Sequence, residues 1–334
     1  MEFCQVFTSI FYICAKNNLV NILKKVYNVI KIKQVVKCYM NFDILKNCTL
    51  CPRKCGADRL NGETGYCKKD AHLYIARANL HFWEEPPISG TRGSGTVFFS
   101  GCNMGCVYCQ NYKISTGGFG KCITEDELAE EFLKLQNRGA HNINLVTPTH
   151  FTPQISSALM TAKKHGLKIP IVYNCGGYES TETIKMLHGL VNIYMPDVKY
   201  YDDKYAVKYS NAPNYFTVAS QALREMYRQT GRFVLDSDGI MQSGMIIRHM
   251  LLPKLLFDSK KIIDWIYAEF GDNVYISIMS QYTPMPQAAK YGELSECVSE
   301  RYYESLVNYA AEKGIVNAFT QSGDSVGESF IPPF

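Results

Sequence analysis

The sequence lacks an apolar run long enough to cross a lipid bilayer. A membrane-spanning helix needs about 20 consecutive apolar residues, whereas the apolar stretch Phe3–Ala15 covers 13 and is followed by Lys16. Its surroundings do not suit a targeting segment either. Glu2 stands where a secretory signal carries positive charge, and residues 1–39 contain no Arg, which transit peptides favour. We therefore predict a cytoplasmic protein with no membrane partner, with import into an organelle as the alternative.

An excess of charge is also missing from most of the chain. The 334 residues include 35 Lys and Arg and 31 Asp and Glu, a net charge of +4. Residues 1–39 contribute six Lys and one Glu, which leaves 29 basic and 30 acidic residues in the rest. A nearly neutral body offers no electrostatic surface for nucleic acid, so we expect no nucleic-acid partner. The change of composition predicts that residues 1–39 are a poorly structured extension, or an upstream start that is not used, with Met40 as the initiator.

A dinucleotide-binding fingerprint is missing too, because no Gly-x-Gly-x-x-Gly follows the first predicted strand. From Thr96 onward, short apolar runs alternate regularly with helical patterns. The predicted strands are Thr96–Gly101, Asn142–Thr147, Ile169–Asn174, Val191–Lys199, Met245–Leu252 and Val274–Met279. The predicted helices are Glu125–Gly139, which begins with a capping box of Thr124 and Glu127, then Pro153–His165, Thr181–His188, a mostly helical stretch to Gln229, Lys260–Phe270 and Ser299–Lys313. Six such units predict a parallel α/β sheet closed as a barrel or partial barrel, with an open doubly wound sheet as the alternative.

Thirteen Cys residues are many for a chain without a secretory signal. Seven of them fall in two short groups, which indicates metal ligation and not a disulfide framework. The tighter group is Cys102-x3-Cys106-x2-Cys109, placed where the first strand ends and where α/β folds place active sites. Three thiolates around one metal centre leave a coordination position open for chemistry, as in an iron–sulfur cluster. A zinc site completed by a distant Cys or His is the alternative.

The loop of Cys102, Cys106 and Cys109, with Tyr108 before the last Cys, resembles the radical S-adenosylmethionine (SAM) superfamily. Over residues 48–334 the chain resembles the activating enzymes of pyruvate formate-lyase and their relatives with an extra N-terminal Cys group. The resemblance implies a partial TIM-like (β/α)6 barrel at residues 91–334 with a C-terminal extension, preceded by a Cys-rich segment at 40–90. It also implies that the three Cys ligate three irons of a [4Fe–4S] cluster while SAM binds the fourth.

The resemblance implies the reaction as well. An electron from a low-potential donor enters the cluster and cleaves SAM to methionine and a 5′-deoxyadenosyl radical, which takes a hydrogen atom from the substrate. For an activating enzyme the substrate is a backbone glycine of a glycyl-radical enzyme, which would be the protein partner. Radical modification of a small molecule is the alternative within the superfamily. A non-enzymatic iron–sulfur or zinc protein is the alternative outside it.

Three charged residues complete the predicted cofactor site, to which the resemblance adds Tyr108. Asp197 and Lys199 end the fourth strand on one face, because side chains alternate along a strand. They are similar to the Asp-x-Lys that lies at the SAM methionine in activating enzymes. Arg248 interrupts the apolar fifth strand with parity opposite to His249, and its guanidinium would suit the SAM carboxylate. The alternatives are a solvated strand end for the first pair and a structural ion pair for Arg248.

The second Cys group precedes the barrel and comprises Cys48, Cys51, Cys55 and Cys67. These residues are 3, 4 and 12 positions apart, with turn-forming Gly62 and Gly65 in the last interval. Four thiols at such spacing suit one compact four-coordinate site that holds zinc or a second iron–sulfur cluster. A second cluster would relay electrons, whereas zinc would only stabilise the fold of the segment.

Overall fold

The computed structural model describes residues 42–321, so the predictions for residues 1–39 and for the chain end after 321 lie outside it. Ten strands form one sheet, in the order β10-β9-β8-β6-β5-β4-β2-β1-β3, with β7 paired to β8. They are β1 (Leu73–His81), β2 (Ser94–Phe99), β3 (Lys121–Ile123), β4 (Ile143–Val146), β5 (Ile171–Cys175), β6 (Ile193–Pro196), β7 (Val234–Leu235), β8 (Met241–Met250), β9 (Tyr275–Met279) and β10 (Ala318–Thr320).

The sheet is parallel from β2 to β10 and does not close on itself. Only the flanking strands are antiparallel: β1 pairs with β2 and β3, and β7 pairs with β8. The predicted α/β class and the partial barrel are confirmed, and all six predicted strands are present. The sheet extends past the six predicted units by the parallel strand β10. This strand has three residues and is partly exposed, so it lacks the apolar run that marks a buried parallel strand.

Helices connect the strands. They are α1 (Pro86–Ser89), α2 (Tyr112–Ser115), α3 (Glu125–Asn137), α4 (Thr152–Lys164), α5 (Thr181–Met186), α6 (Asp203–Ser210), α7 (Tyr215–Thr230), α8 (Leu256–Phe270) and α9 (Glu300–Glu312). The predicted capping box is present at α3, where the Thr124 hydroxyl accepts from the Glu127 N–H at 3.2 Å and the Glu127 carboxylate accepts from the Thr124 N–H at 2.8 Å. The predicted helical stretch before Gln229 divides into α6 and α7, because Asn211 and Asn214 adopt left-handed φ angles of 46° and 55°.

The strand directions decide where the site lies. Strands β4 and β5 are buried along their whole length, as expected of parallel strands covered on both faces. Because the parallel strands all point the same way, the residues at their carboxyl ends meet at one edge of the barrel. Asp197, directly after β6, pairs with Arg248 of β8 in a parallel backbone β-bridge. Within residues 42–321, no helix combines the length and the apolar character needed to cross a bilayer.

Candidate active site

The cluster loop, residues Cys102–Cys109, follows β2 at the carboxyl edge of the parallel strands. Gly101 precedes it with φ +97°, and a Cβ at this position would lie 2.8 Å from the Cys67 carbonyl oxygen and 2.9 Å from Nε2 of His150. Gly105 has φ +82°. Gly101 is therefore required for both space and conformation, and Gly105 for conformation, so the loop can turn tightly between its Cys residues.

The three thiols of the cluster loop influence one another electrostatically. Burial, and then the neighbouring Cys106 and Cys109 thiols, raise the pKa of Cys102 to about 12. Burial and then Cys106 raise the pKa of Cys109 in the same way. A cationic centre bound to the sulfurs relieves this repulsion and holds them as thiolates. The donor set therefore fits an iron–sulfur cluster.

The thiols are neighbours without forming a single-ion site. Among residues 42–321, no set of three or more His, Cys, Asp or Glu side chains is arranged to hold one metal ion. A four-iron cluster binds each thiolate through a different iron, so its ligands are spaced more widely than the ligands of one ion. A [4Fe–4S] cluster bound to these three thiols would keep its fourth iron free of a protein ligand.

Hydroxyl groups contact two of these thiols. Ser210 Oγ donates to Cys106 Sγ at 2.9 Å. Ser115 Oγ lies 3.3 Å from Cys109 Sγ, at the end of α2. Hydrogen bonds to the sulfurs are among the factors that set the potential of an iron–sulfur cluster, and no sequence motif marks either serine.

Tyr108 belongs to a hydrogen-bond chain that ends at Cys106. The Tyr200 hydroxyl lies 2.7 Å from Ser210 Oγ and 2.6 Å from the Tyr108 hydroxyl. Because Ser210 gives its proton to the sulfur, Tyr200 donates to Ser210 and Tyr108 donates to Tyr200. The sequence analysis placed Tyr108 at the cofactor, and the structure ties its hydroxyl into this chain.

The predicted charged residues form one bonded group. Lys199 Nζ donates to Asp197 Oδ2 at 2.6 Å, and Arg248 Nε donates to Asp197 Oδ1 at 2.9 Å. Burial alone would raise the pKa of Asp197, but Lys199 and Arg248 outweigh it and hold that pKa below its usual value. Burial alone would lower the pKa of Lys199 and of Arg248, but the Asp197 carboxylate raises both. All three groups therefore stay charged.

Arg248 has two further protein partners. Its Nη1 lies 3.3 Å from Glu84 Oε2, and its Nη2 donates to Asn174 Oδ1 at 2.7 Å. The ion pair that the sequence analysis gave as an alternative for Arg248 is thus present. His249 points to the other side of the strand and bonds Ser259 of α8 at 2.8 Å, as alternation along a strand predicts.

Glu84 is the site residue that sequence reasoning missed. Its Oε1 accepts from Asn144 Nδ2 at 2.9 Å, while its other oxygen contacts Arg248. Burial raises the pKa of Glu84 to about 7, although Arg248 opposes the rise. Glu84 stands before α1, outside the β/α units, so no periodicity or motif marked it. The available signal was the polar Asn144 and Asn174 inside otherwise apolar strands.

These groups line one cavity of about 390 Å³. Its polar wall includes Glu84, Cys106, Tyr108, Cys109, Asp197, Lys199 and Arg248. Apolar side chains cover other parts of the wall, among them Phe98, Val146, Met250, Met279 and Phe319. Cys102 is not among the lining residues, although it begins the same loop. The structure therefore brings the cluster loop and all three predicted charged residues to one place.

Residues 96–234 match the family model described as the Radical SAM superfamily. This part of the chain is similar to a radical SAM domain. The match begins in β2 and includes the cluster loop, Asp197 and Lys199. The superfamily implies an enzyme that binds a [4Fe–4S] cluster and SAM and that needs a reductant. A non-enzymatic metal protein, the alternative outside the superfamily, is not supported.

Known proteins resemble the chain at low identity. An uncharacterized protein of Methanocaldococcus jannaschii is 29% identical over 276 residues, which cover 80% of this chain and 75% of that protein. Among solved structures, SuiB of Streptococcus suis bound to S-adenosylmethionine is 11% identical, with a TM-score of 0.46, over 66% of this chain and 48% of SuiB. The chain thus spans about half the length of SuiB. A domain of pyruvate-formate lyase-activating enzyme from Bacteroides vulgatus is 13% identical, with a TM-score of 0.36, over 49% of this chain and 87% of that domain.

The N-terminal Cys group adjoins the radical SAM domain but does not line its cavity. Cys48, Cys51 and Cys67 are buried, and Cys55 is exposed. Burial raises the pKa of Cys51 to about 12, and the neighbouring Cys67 and Cys48 thiols contribute to the rise. A Cβ on Gly65 would lie 2.8 Å from Cys55 Sγ and 3.8 Å from Cys67 Sγ, so these two sulfurs flank the same glycine.

Arg59 is a buried cation beside the N-terminal thiols, and it too was missed because a single Arg carries no motif. Its Nη1 lies 3.7 Å from Cys48 Sγ and donates to the His150 carbonyl at 2.7 Å. Its Nε and Nη2 donate to the Asp70 carbonyl at 3.0 and 2.7 Å. Burial raises the pKa of Cys67, and Arg59 opposes that rise most strongly. This cation therefore favours the thiolate form that a metal requires.

Proposed function

We propose that this protein is a radical SAM enzyme whose cluster is held by Cys102, Cys106 and Cys109. The observation that carries the proposal is that the loop of these thiols and the bonded charges of Asp197 and Arg248 meet at one cavity. A [4Fe–4S] cluster bound there would supply the electron that cleaves SAM to a 5′-deoxyadenosyl radical. A low-potential electron donor is the partner that this chemistry requires.

Lys199 and Arg248 retain donors for the carboxylate of SAM. A guanidinium has five N–H groups, and Arg248 directs three of them to Asp197, Glu84 and Asn174. Lys199 has three N–H groups and directs one to Asp197. The remaining N–H groups suit a carboxylate, and Asp197 suits an ammonium group. We therefore assign the methionine end of SAM to these three charged residues.

The apolar wall suits the protection of a radical. Phe98, Val146 and Met250 line this part of the cavity, and their apolar side chains would keep water from a radical formed there. Tyr108 lines the cavity as well, and its hydroxyl is bonded to Tyr200 at 2.6 Å. This bond directs a reactive O–H group away from the cavity, so that the substrate is the favoured hydrogen donor.

The substrate that we propose is a backbone glycine of a protein partner, as for an activating enzyme. Trp83, which follows β1, and Phe319 in β10 both line the cavity although they come from near opposite ends of the unclosed sheet. A cavity that reaches the gap between sheet ends suits an extended polypeptide better than a fully enclosed cavity does. This feature supports a glycyl-radical enzyme as the partner.

A small-molecule substrate is the second candidate, and one feature of the cavity favours it. Glu85 lines the cavity, and its Oε2 is buried with no hydrogen-bond partner among residues 42–321. A buried acceptor without a partner is costly. A small substrate that carries an ammonium or other donor group would satisfy it.

The second metal centre is also a proposal. We assign a second iron–sulfur cluster to Cys48, Cys51, Cys55 and Cys67, within a Cys-rich segment at 40–90 that precedes the barrel at 91–334. Zinc is the weaker alternative, because no three such side chains among residues 42–321 are arranged to hold one ion. The buried cation Arg59 and the mutual influence of the thiols support this assignment. In a triple variant with Ala at positions 102, 106 and 109, which lacks the cluster-loop thiols, iron and zinc analysis should still find bound metal. A folded triple variant free of metal would overturn the assignment.

The test of the enzyme class is anaerobic reconstitution with iron and sulfide, followed by reduction with SAM present. We expect release of 5′-deoxyadenosine by the wild-type protein and none by the triple Ala variant. A wild-type protein that binds a cluster yet releases no 5′-deoxyadenosine would contradict the proposal.

The substrate class needs a separate experiment with a labelled probe. A short synthetic peptide with a Cα-deuterated glycine is added to the reduced enzyme and SAM, and deuterium in the 5′-deoxyadenosine is measured by mass spectrometry. Deuterium transfer would support a glycine in a polypeptide as the substrate. Product without deuterium, together with deuterium transfer from deuterated small amines, would favour the second candidate.

A further inference from the structure

Arg53, which stands between two of the N-terminal thiols, reaches the cluster loop with its side chain. It lies between Cys51 and Cys55 in sequence. Its Nε donates to the Asn103 carbonyl at 2.8 Å, and its Nη2 donates to the Met104 carbonyl at 3.2 Å. The planar guanidinium thus bonds two successive carbonyls inside the Cys102–Cys109 loop.

Tyr66, next to Cys67, makes a second contact of the same kind. Its hydroxyl donates to the Met104 carbonyl at 2.8 Å. Its ring packs under the guanidinium of Arg53, with 3.8 Å between the Arg53 Cζ and the ring centroid. This cation–π contact joins the side chains of Arg53 and Tyr66 into one unit, here called the bracket, which contacts the cluster loop.

The bracket also holds the residue that bonds a cluster ligand. Arg53 Nη2 lies 3.5 Å from the Ser210 carbonyl, and Nη1 donates to the Asn211 carbonyl. Ser210 in turn donates from its hydroxyl to Cys106 Sγ. One guanidinium therefore ties together the cluster loop and the end of α6.

The two loop carbonyls depend on this bracket. Asn103 and Met104 are buried. In the part of the chain that the structure describes, no backbone N–H donates to either carbonyl. Arg53 and Tyr66 supply bonds that a helix or strand would supply elsewhere, so their loss leaves the loop without its main restraint on that side.

The turn that carries Arg53 begins at Cys51, one of the N-terminal thiols. The Arg53 N–H faces the Cys51 thiol and opposes the rise in the pKa of that thiol. The next residue, Lys54, has a left-handed φ of 42° and donates its N–H to the Cys51 carbonyl at 3.0 Å. A change in the state of the Cys51 sulfur therefore acts on the turn that aims the Arg53 side chain.

We propose that Arg53 is a positioning residue that couples the N-terminal Cys group to the cluster loop: it holds the Cys102–Cys109 loop in its ligating form when the thiols at 48–67 are intact. Tyr66 assists through the shared Met104 carbonyl. The link to catalysis rests on the proposed function, but the mechanical link does not.

The mechanical link is tested on the protein without metal, by alkylation with iodoacetamide and mass spectrometry of each Cys. Arg53→Ala and Cys51→Ser should each speed alkylation of Cys106 and Cys109 about tenfold, the size expected for one lost hydrogen-bonded restraint. The double variant should be no faster than either single variant, because both changes break the same link. Lys54→Gln is the matched control, since this adjacent cation is exposed and should leave the rates unchanged.

Three results would overturn the proposal. They are unchanged rates in Cys51→Ser, additive effects in the double variant, and an equal effect of Lys54→Gln. Buried Cys175 reports folding in each sample. If Cys51→Ser exposes Cys175, Arg53→Lys carries the test, because it keeps the charge and loses the planar fork. We expect a smaller rise in the alkylation rates for Arg53→Lys than for Arg53→Ala, and wild-type rates would overturn the proposal.

A spectroscopic readout extends the test to the loaded protein. In Arg53→Ala we expect an iron content like that of the wild type but a weaker change of the reduced-cluster EPR spectrum when SAM is added. A spectrum identical to the wild type would contradict the link to the cluster. If the wild-type protein itself takes up no cluster, the proposed function fails, while the alkylation rates still decide whether Arg53 couples the two regions.

Discussion

The molecule contains two groups of thiols that differ in their surroundings more than in their chemistry. Cys106 and Cys109 lie at a cavity with Asp197, Lys199 and Arg248. Three of the four N-terminal thiols are buried, and none is a cavity residue. The ordered charges at the first group can bind a polar cofactor, whereas the buried Arg59 at the second can only stabilise thiolates.

Under the proposed assignment, these surroundings distinguish a reactive metal site from a structural one. Three ligands with a neighbouring cavity leave room for a substrate on the metal, and four ligands without one do not. The N-terminal group then influences chemistry only through the side chains that it places. Substitutions in the two groups should therefore differ in the size and the kind of their effects.

The largest effect should come from the ligands themselves. Cys106→Ala should abolish 5′-deoxyadenosine formation, because the cluster loses one of its three thiolates. Cys51→Ala should lower the rate by about tenfold, since it acts only on the placement of the loop. The measurement is product by chromatography after anaerobic reconstitution. Exposed Cys122 is the control, and full activity of Cys106→Ala would show that the ligand set is wrong.

The next largest effect should come from the two buried cations, Arg248 and Arg59, whose substitution should affect different properties. Arg248→Ala should weaken SAM binding roughly 10- to 150-fold, the value of a partly buried hydrogen bond to a charged group, while the cluster absorption persists. Arg59→Gln should lower the melting temperature without changing SAM affinity, because the partners of Arg59, which are Cys48, Asp70 and His150, do not line the cavity. SAM affinity is measured by titration of the reconstituted proteins.

Arg248→Ala also leaves Glu84 without its cationic partner and Asp197 with Lys199 alone, which destabilises a buried site by about 3–5 kcal/mol. Arg248→Lys keeps the charge and separates this loss of stability from the loss of binding. Unchanged SAM affinity in both variants would remove Arg248 from the cofactor site.

Glu179 should make stability depend on pH near the N-terminal thiols. Thr149 and Tyr173 donate to its carboxylate at 2.7 and 3.2 Å, and it contributes to the raised pKa of Cys51. Burial raises the pKa of Glu179 from 4.5 to about 7. Between these values the folded chain keeps a proton that the unfolded chain has lost, so the free energy of unfolding falls as pH rises. Glu179→Gln should therefore be less destabilising at pH 7.5 than at pH 5, by as much as about 3 kcal/mol.

The contribution of Glu179 is the difference in the free energy of unfolding between Glu179→Gln and the wild type, because other groups also make stability depend on pH. Burial lowers the pKa of His150 to about 3 and of His249 to about 4, from 6.5. As pH falls below 6.5 the unfolded chain binds protons at these positions first, so both histidines oppose the slope from Glu179 over the same window. Urea unfolding at both pH values measures the difference, and a constant difference would exclude Glu179 as the source.

The smallest effect should be a shift of reduction potential. Ser210→Ala removes the donor at 2.9 Å from Cys106 Sγ, which leaves more negative charge on the sulfur and makes the cluster harder to reduce. We expect a more negative midpoint in an EPR redox titration, and a smaller shift for Ser115→Ala, whose contact is 3.3 Å. A positive shift in Ser210→Ala would contradict the direction of the bond.

Much of the fold followed from the sequence because its signals are local. Buried parallel strands are short apolar runs, and the capping box of Thr124 and Glu127 is a four-residue pattern. Strand β1 was missed because its burial is only partial along most of its length, and β10 because three residues carry no period. The domain limits and the extension at residues 1–39 stay predictions.

The residues of the site also divide into those that a local pattern predicted and those that it could not. The cluster loop is a local motif, and Asp197 and Lys199 are two residues apart, so the sequence placed them. Glu84 and Arg248 are 164 positions apart, and Arg53 and Ser210 are 157 apart. No spacing reports such partners, because folding alone brings them together. The resemblance supplied the chemistry of the cofactor, and the structure supplied the side chains that hold the loop.

Gly101 is the point where the two thiol groups are packed against each other. The space that a side chain would need there is occupied by the Cys67 carbonyl and by His150, so the N-terminal segment and the cluster loop touch with nothing between them. A substitution at this one position would push on both motifs at once. The two groups of thiols are therefore coupled sterically, and any side chain at position 101 would displace the Cys67 carbonyl, His150 or the start of the cluster loop.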